Sequence, residues 1–131
     1  MKIRTGFVSN SSSSSFIIAL DKKPKSVDDV QKLLFGSDFN AEENVEYYDY
    51  KLSQGKVADI VFNDINRAKK ITVKNIDKDD YDYEIISNFM KKNRKKVIVQ
   101  VSYADEDGGW GCVMEHSGVL ENLNCIRISN H

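Results

Sequence analysis

Apolar positions along the chain follow two spacings, one typical of strands and one typical of helices. Residues 16–20 form a continuous apolar run rich in β-branched side chains, which predicts a strand covered on both faces. The alternation in residues 97–103 predicts a second, largely buried strand. Residues 105–109 are typical of a turn, so residues 110–115 are expected to return as a strand and residues 125–129 to form the last one.

Helical spacing of apolar residues recurs between these strands. The first helix is expected to begin after Ser26, with Asp29 placed to complete a capping box, and to end at Gly36 in a left-handed conformation. A second helix is expected over residues 53–70. A third is expected to open at three aspartates near residue 77, and its buried stripe consists of Tyr81, Ile85, Ile86, Phe89 and Met90.

Two short segments are less clearly patterned. Residues 45–52 fit either an edge strand or an aromatic-rich loop, because their periodicity does not distinguish the two. Residues 71–73 predict a short strand. Together the patterns predict an α+β fold in a single domain over residues 1–131. This domain would have a largely antiparallel sheet of about five strands and about three helices mainly on one face.

The composition is that of a globular domain with balanced charge. The 131 residues are 40% hydrophobic and 30% charged, which is enough for one core. The 19 Lys and Arg against 20 Asp and Glu give a net charge of -1, so no global positive field draws the chain to nucleic acid or to a membrane. Residues 1–8 lack the apolar stretch of a secretory signal, and we therefore expect a cytoplasmic protein with reduced Cys112 and Cys125.

A serine-rich leader, residues 1–15, opens the chain. It contains Ser9, Asn10, Ser11 and Ser12 and continues in serine to its end. Apolar side chains flank the serines on both sides, which predicts that the leader is anchored to the core. A linker, an anion site, a modification target and a surface recognised by another protein all remain open as roles.

Both ends of the chain carry a distinctive pattern. Residues 2–16 read KIRTGFVSNSSSSSF, residues 105–108 read DEDG, residues 115–116 read EH, and residues 127–131 read RISNH. These segments resemble the ends of a group of uncharacterised proteins encoded by tailed bacteriophages and some bacteria, whose pattern has a second His where this chain has Asn130. The resemblance implies a viral origin and no established activity.

The two histidines of the chain lie close in sequence to several carboxylates. Imidazole and carboxylate are ligand types of Zn, Mn and Fe sites. However, no pair of these residues has a diagnostic spacing, and the acidic residues 105–108 do not match the pattern of a calcium-binding loop. A divalent metal or acid–base site and purely structural hydrogen bonding therefore both remain open. The residues concerned are Asp105, Asp107, Glu115, His116 and His131.

Three classes of function follow from these features. The preferred expectation is a small phage-encoded accessory protein that binds a host or viral protein, with the leader, the tyrosines or the tryptophan as contact surface. The alternatives are a metal-binding protein or enzyme using the histidines, and a nucleic-acid binder using the basic cluster at residues 91–96. No nucleophile elbow or glycine-rich phosphate loop supports a specific reaction. The aromatic candidates are Tyr47, Tyr48, Tyr50 and Trp110.

Overall fold

The computed structural model describes residues 13–104 and 108–130. Within them, the chain is a single α+β domain with five strands in two antiparallel sheets and four helices. In chain order the elements are β1 (Ser13–Leu20), α1 (Val27–Phe35), β2 (Asn44–Tyr47), β3 (Tyr50–Ser53), α2 (Gln54–Arg67), α3 (Tyr83–Lys92), β4 (Val97–Ala104), α4 (Gly109–His116) and β5 (Cys125–Asn130).

Strand β1 is the centre of the main sheet. It pairs antiparallel with β4 on one side and with β5 on the other, in the order β4-β1-β5. A central strand has no solvent-facing edge, and β1 is buried along almost its whole length, as the continuous apolar run predicts. The strand begins at Ser13 rather than Phe16, so the end of the serine run belongs to the sheet.

The expectation of one sheet of about five strands is wrong. Strands β2 and β3 form a separate two-stranded hairpin, which pairs Tyr47 with Tyr50 across its turn. The tyrosine segment is therefore neither a lone edge strand nor a loop. Its turn holds Tyr48 at φ 52, a left-handed conformation that is uncommon for a side chain of this size.

Two apolar clusters lie on opposite faces of the main sheet because successive side chains of a strand point in opposite directions. On one face Phe16 and Ile18 pack with buried residues of α1, α2 and α4. On the other face Ile17 and Ala19 pack with Ile86 and Met90 of α3. Both faces of the sheet are thus covered by helices, three on one side and one on the other in the part of the chain that is described.

Helix α4 replaces the strand expected at residues 110–115, and this is the largest local correction. Gly108 at φ 94 turns the chain, and the N–H of Cys112 then donates to the Gly108 carbonyl at 3.1 Å to begin the helix. Three glycines in this region disfavour a helix by propensity. Tertiary packing of α4 on the hairpin overrides that preference, so Cys112 lies in a helix and only Cys125 lies in a strand.

The caps of the first two helices differ. Ser53 caps α2 as its position suggests, and its hydroxyl accepts the Lys56 N–H at 3.1 Å. Ser26 precedes α1 but makes no side-chain capping bond within the described residues. The Asp29 carboxylate accepts the N–H of Lys25 at 2.9 Å, and a backbone hydrogen bond from Ser26, the return bond of a capping box, also lowers the pKa of Asp29. Gly36 ends α1 with a positive φ of 61 but with ψ outside the left-handed helical region.

The segment after α2 also departs from expectation. Residues 71–73 form no strand; a single bridge joins Lys70 to Val99, and a 3₁₀ turn follows at Val73–Asn75. The side chain of Asn75 accepts the N–H of Thr72 at 2.8 Å, so a local turn competes with strand pairing. Two residues of the apolar stripe predicted for the third helix, Tyr81 and Ile85, are exposed rather than buried.

Candidate functional site

The candidate metal residues that are described lie at the end of α4. Glu115 and His116 are adjacent, with the imidazole Nε2 3.2 Å from Glu115 Oε1. Within residues 13–104 and 108–130, no group of three or more His, Cys, Asp or Glu side chains is placed to hold a metal ion. Asp105, Asp107 and His131 lie outside the described residues, so the metal site stays a prediction.

Glu115 belongs to a cycle of four polar side chains, which we call the polar ring: Ser14, Glu115, His116 and Arg127. The Ser14 hydroxyl donates to Glu115 Oε2 at 2.9 Å, and Arg127 Nε donates to Ser14 Oγ at 3.0 Å. Arg127 Nη2 lies 3.5 Å from His116 Nδ1, which closes the cycle through the imidazole. Residues from β1, α4 and β5 are joined in this way.

One assignment of protons satisfies every contact of the polar ring. Arg127 has only donors, so Ser14 Oγ and His116 Nδ1 both accept from it. The Ser14 hydroxyl proton and a proton on His116 Nε2 are then both directed at the Glu115 carboxylate. A metal at His116 would have to displace these contacts.

Burial makes the polar ring energetically important. Glu115 is only 1% exposed, and Ser14 is fully buried. A buried carboxylate costs several kcal/mol of desolvation unless charge and hydrogen bonds compensate it, as Arg127 and Ser14 do here. The ring therefore ties the start of β1 firmly to α4 and β5.

The β2–β3 hairpin packs on α4 beside the polar ring. Tyr47 stacks on the His116 imidazole with ring centroids 4.9 Å apart. Its cross-strand partner Tyr50 lies against Gly109, where an added Cβ would stand 2.6 Å from the Tyr50 Cδ1 atom. Gly109 is required because the tyrosine ring approaches the helix backbone so closely.

The aromatic candidates lie on the hairpin and on the first turn of α4. Tyr48 contacts Tyr47 edge-on at 4.6 Å and is 85% exposed. Tyr50 is 49% exposed, and Trp110, next to Gly109, is 41% exposed with its edge on Tyr103 at 6.2 Å. We call the surface formed by Tyr47, Tyr48, Tyr50 and Trp110 the aromatic face.

The charge near the aromatic face is negative. Residues 42–53 contain four carboxylates and one cation, Lys51, which lies opposite Glu46 in the hairpin. A further acidic run, residues 105–107, directly precedes the glycines of α4 in the sequence. A local excess of one sign attracts a partner of the opposite sign over short range, even in a chain whose net charge is close to zero.

The predicted leader contacts are described only in part. Ser9, Asn10, Ser11 and Ser12 lie outside the described residues. Beyond them the serine run enters the sheet, where Ser15 Oγ lies 2.8 Å from Ser102 Oγ on the face opposite Ser14. The end of the run is thus anchored by strand pairing and by hydroxyl contacts on both faces of β1.

Comparison with protein-family models, with curated proteins and with solved structures finds no match to this chain. Among the described residues, no helix has both the length and the apolar character needed to cross a membrane. Functional conclusions therefore depend on the geometry of the chain itself.

Sequence reasoning missed two members of the polar ring, Ser14 and Arg127. Ser14 looked like one more residue of a low-complexity run, and Arg127 was noted only for its resemblance to a terminal pattern. The deciding signal is register: Arg127 lies directly opposite Phe16 in the β1–β5 pair, which puts it on the same face as Ser14. Its guanidinium accordingly lies 6.0 Å from the centre of the Phe16 ring.

Proposed function

We propose that this chain is a small phage-encoded accessory protein that acts by binding a host or viral protein through its aromatic face. The observation that carries the proposal is the packing of the tyrosine hairpin on α4, where the exposed Tyr50 lies against Gly109, the residue before the exposed Trp110. The hairpin and α4 lie about 60 positions apart in the sequence and are brought together only by the fold.

The residue types suit a binding surface. Tyrosine and tryptophan are enriched among the residues that contribute most to protein–protein affinity, since each combines a large apolar area with one polar group. The aromatic face is also held in place before any partner arrives. Tyr47 is stacked on His116, which the polar ring orients, and Tyr50 is seated on Gly109. Such preorganisation reduces the entropic cost of binding.

The surrounding charge suggests the chemistry of the partner. Exposed tyrosine rings attract Arg and Lys side chains through cation–π contacts, and the carboxylates of residues 42–50 add attraction of the same sign. The partner is therefore expected to present a basic segment. An acidic partner surface would be repelled.

The test uses Tyr48 and a matched control. Tyr81 is 98% exposed but lies away from the hairpin, just before α3, and so reports on non-specific contact by an exposed tyrosine. A photo-crosslinking phenylalanine analogue placed at position 48 or at position 81 of the full chain, in bacterial cells, is expected to capture a reproducible protein only from position 48.

Binding of the captured protein is then measured with purified components. Tyr48→Ala is expected to weaken the affinity by about thirtyfold or more, the range of a hot-spot residue, and Tyr81→Ala by less than about twofold. Equal capture from the two positions, or equal affinity for the two alanine variants, would show that the aromatic face is not the binding surface.

A further inference from the structure

Six cationic side chains lie together at the end of the molecule where α3 joins β4; we call this surface the basic face. Two adjoining concave surfaces, with volumes of about 380 and 450 Å³, share Arg94, Lys95 and Lys96 in their walls. Lys70, Lys91 and Lys92 complete the set.

Tertiary structure enlarges the cluster that is visible in the sequence. Lys70 is more than 20 positions away from residues 91–96 along the chain. The bridge between Lys70 and Val99, and the hydrogen bond from the Ile71 N–H to the Ile98 carbonyl at 3.0 Å, place it beside the start of β4. Cations from two separate segments therefore line one concave surface.

The walls of the basic face carry almost no opposing charge. Among the described residues, no carboxylate lines either concave surface. Lys96 makes an ion pair with Asp21 at 2.6 Å, which offsets the charge of one of the six cations. The Asp21 side chain is 87% exposed, so this pair lies at the surface of the molecule. A net charge of -1 for the chain thus conceals a strongly positive local surface.

We propose that the basic face binds the phosphate backbone of a double-stranded nucleic acid without sequence preference. Clustered Lys and Arg on a concave surface contact phosphates and release counterions, which favours binding energetically. Single-strand binders add aromatic side chains on which bases stack, and in the part of the chain that the structure describes no aromatic residue lines either concave surface. The backbone of a duplex is therefore the partner that this chemistry fits.

The basic face lies at the opposite end of β1 from the aromatic face. Leu20 pairs with Val97 at one end of the strand, and Ser14 enters the polar ring at the other. An eight-residue strand spans roughly 23 Å at about 3.3 Å per residue. The two surfaces thus share no residue, so variants of one leave the side chains of the other unchanged.

Fluorescence anisotropy with a labelled duplex of about 20 base pairs and mixed sequence tests the proposal. At about one released counterion per phosphate contact, the five cations of the basic face that make no ion pair with a described residue predict that log K falls against log [NaCl] with a slope of about -4 to -5. Lys70→Glu combined with Lys95→Glu is expected to weaken binding at least tenfold at about 50 mM NaCl and to reduce the slope by about 2.

The matched control carries the same change of net charge elsewhere. Lys51→Glu combined with Lys56→Glu alters exposed positions in the hairpin and in α2, and its affinity is expected to stay within about twofold of that of the original chain. Circular dichroism checks that both double variants are folded. Absence of binding at low salt, equal losses in the two double variants, or tighter binding to single strands or to poly-glutamate than to the duplex would each overturn the proposal.

Discussion

The two ends of the central strand use charged side chains in opposite ways. At the Ser13 end, the polar ring buries Glu115 and neutralises it with Arg127 through two bridging groups. At the Leu20 end, the cations of the basic face stay in solvent, and the pair of Lys96 with Asp21 is exposed. The first arrangement stabilises the fold, whereas the second leaves charge available to a ligand.

Solvent explains the difference. Water screens exposed charges, so an ion pair at the surface contributes little to stability and its loss is tolerated. A buried charge has given up its hydration and depends on the partners that replace it. Substitutions at the two ends of β1 should therefore differ sharply in their effect on stability, and three measurements test this.

The largest effect is expected from Glu115→Ala. It removes the carboxylate that balances Arg127 and accepts the Ser14 hydroxyl, and should lower the free energy of unfolding by about 3–5 kcal/mol. Urea denaturation followed by circular dichroism measures the change. Glu121→Ala, at an exposed position, is the control and should cost less than about 0.5 kcal/mol. If the two variants lose equal stability, the polar ring is not a stabilising network.

An intermediate effect is expected at alkaline pH from Tyr103, which also lies at the buried end of β4. Its hydroxyl donates to Asp64 at 2.8 Å, and burial, together with the Asp64 charge, raises the pKa of Tyr103 well above its ordinary value of 10.0. The folded state thus holds this proton after the unfolded state has lost it. Its contribution to stability is complete below pH 10 and declines as the pH rises further.

Tyr103→Phe tests this linkage. In urea titrations above about pH 10, the stability of the original chain should fall more steeply than that of the variant, by about 1.4 kcal/mol per pH unit for one proton. Cys125, whose pKa burial raises to about 11, is present in both proteins and cancels in the comparison. Parallel pH profiles for the two proteins would contradict the assigned role of Tyr103.

The smallest effect on stability is expected from Asp21→Asn at the exposed end. The hydrogen bond and the charge of Lys96 lower the pKa of Asp21, so any stabilisation is present above the ordinary pKa of 3.8 and is lost only in acid. Since the group is exposed, we expect unchanged thermal unfolding at pH 7 in physiological salt. Duplex affinity should instead rise slightly, because Lys96 is released. A clear loss of stability would show that the exposed pair of Lys96 and Asp21 stabilises the fold, as the buried polar ring is expected to do.

Several elements were predictable from local pattern. The apolar run at residues 16–20, the alternation in residues 97–103 and the helical spacing after Ser53 each identify an element that the structure contains. In these segments hydrophobic spacing, turn chemistry and caps agree with one another. Helix α4 was not predictable in the same way, because its glycines and short length carry no helical signal and the hairpin supplies the contacts that make a helix favourable.

The candidate site was predictable as a set of residues but not as an arrangement. The tyrosines, Trp110, Glu115 and His116 were recognisable by type, and their importance for binding stays a prediction. That Ser14 and Arg127 would meet Glu115 was not foreseeable, because a shift of one residue in strand register would turn them to the other face.

The amino-acid sequence by itself determined which segments are strands or helices wherever their own spacing was unambiguous, because that information lies in neighbouring residues. Tertiary structure alone decided that the chain has two sheets, that Lys70 joins the cations at residues 91–96, and that the polar ring closes. Each of these depends on pairing between segments far apart in the chain, and the free energy that selects such pairings comes from burial in the folded molecule rather than from local preference.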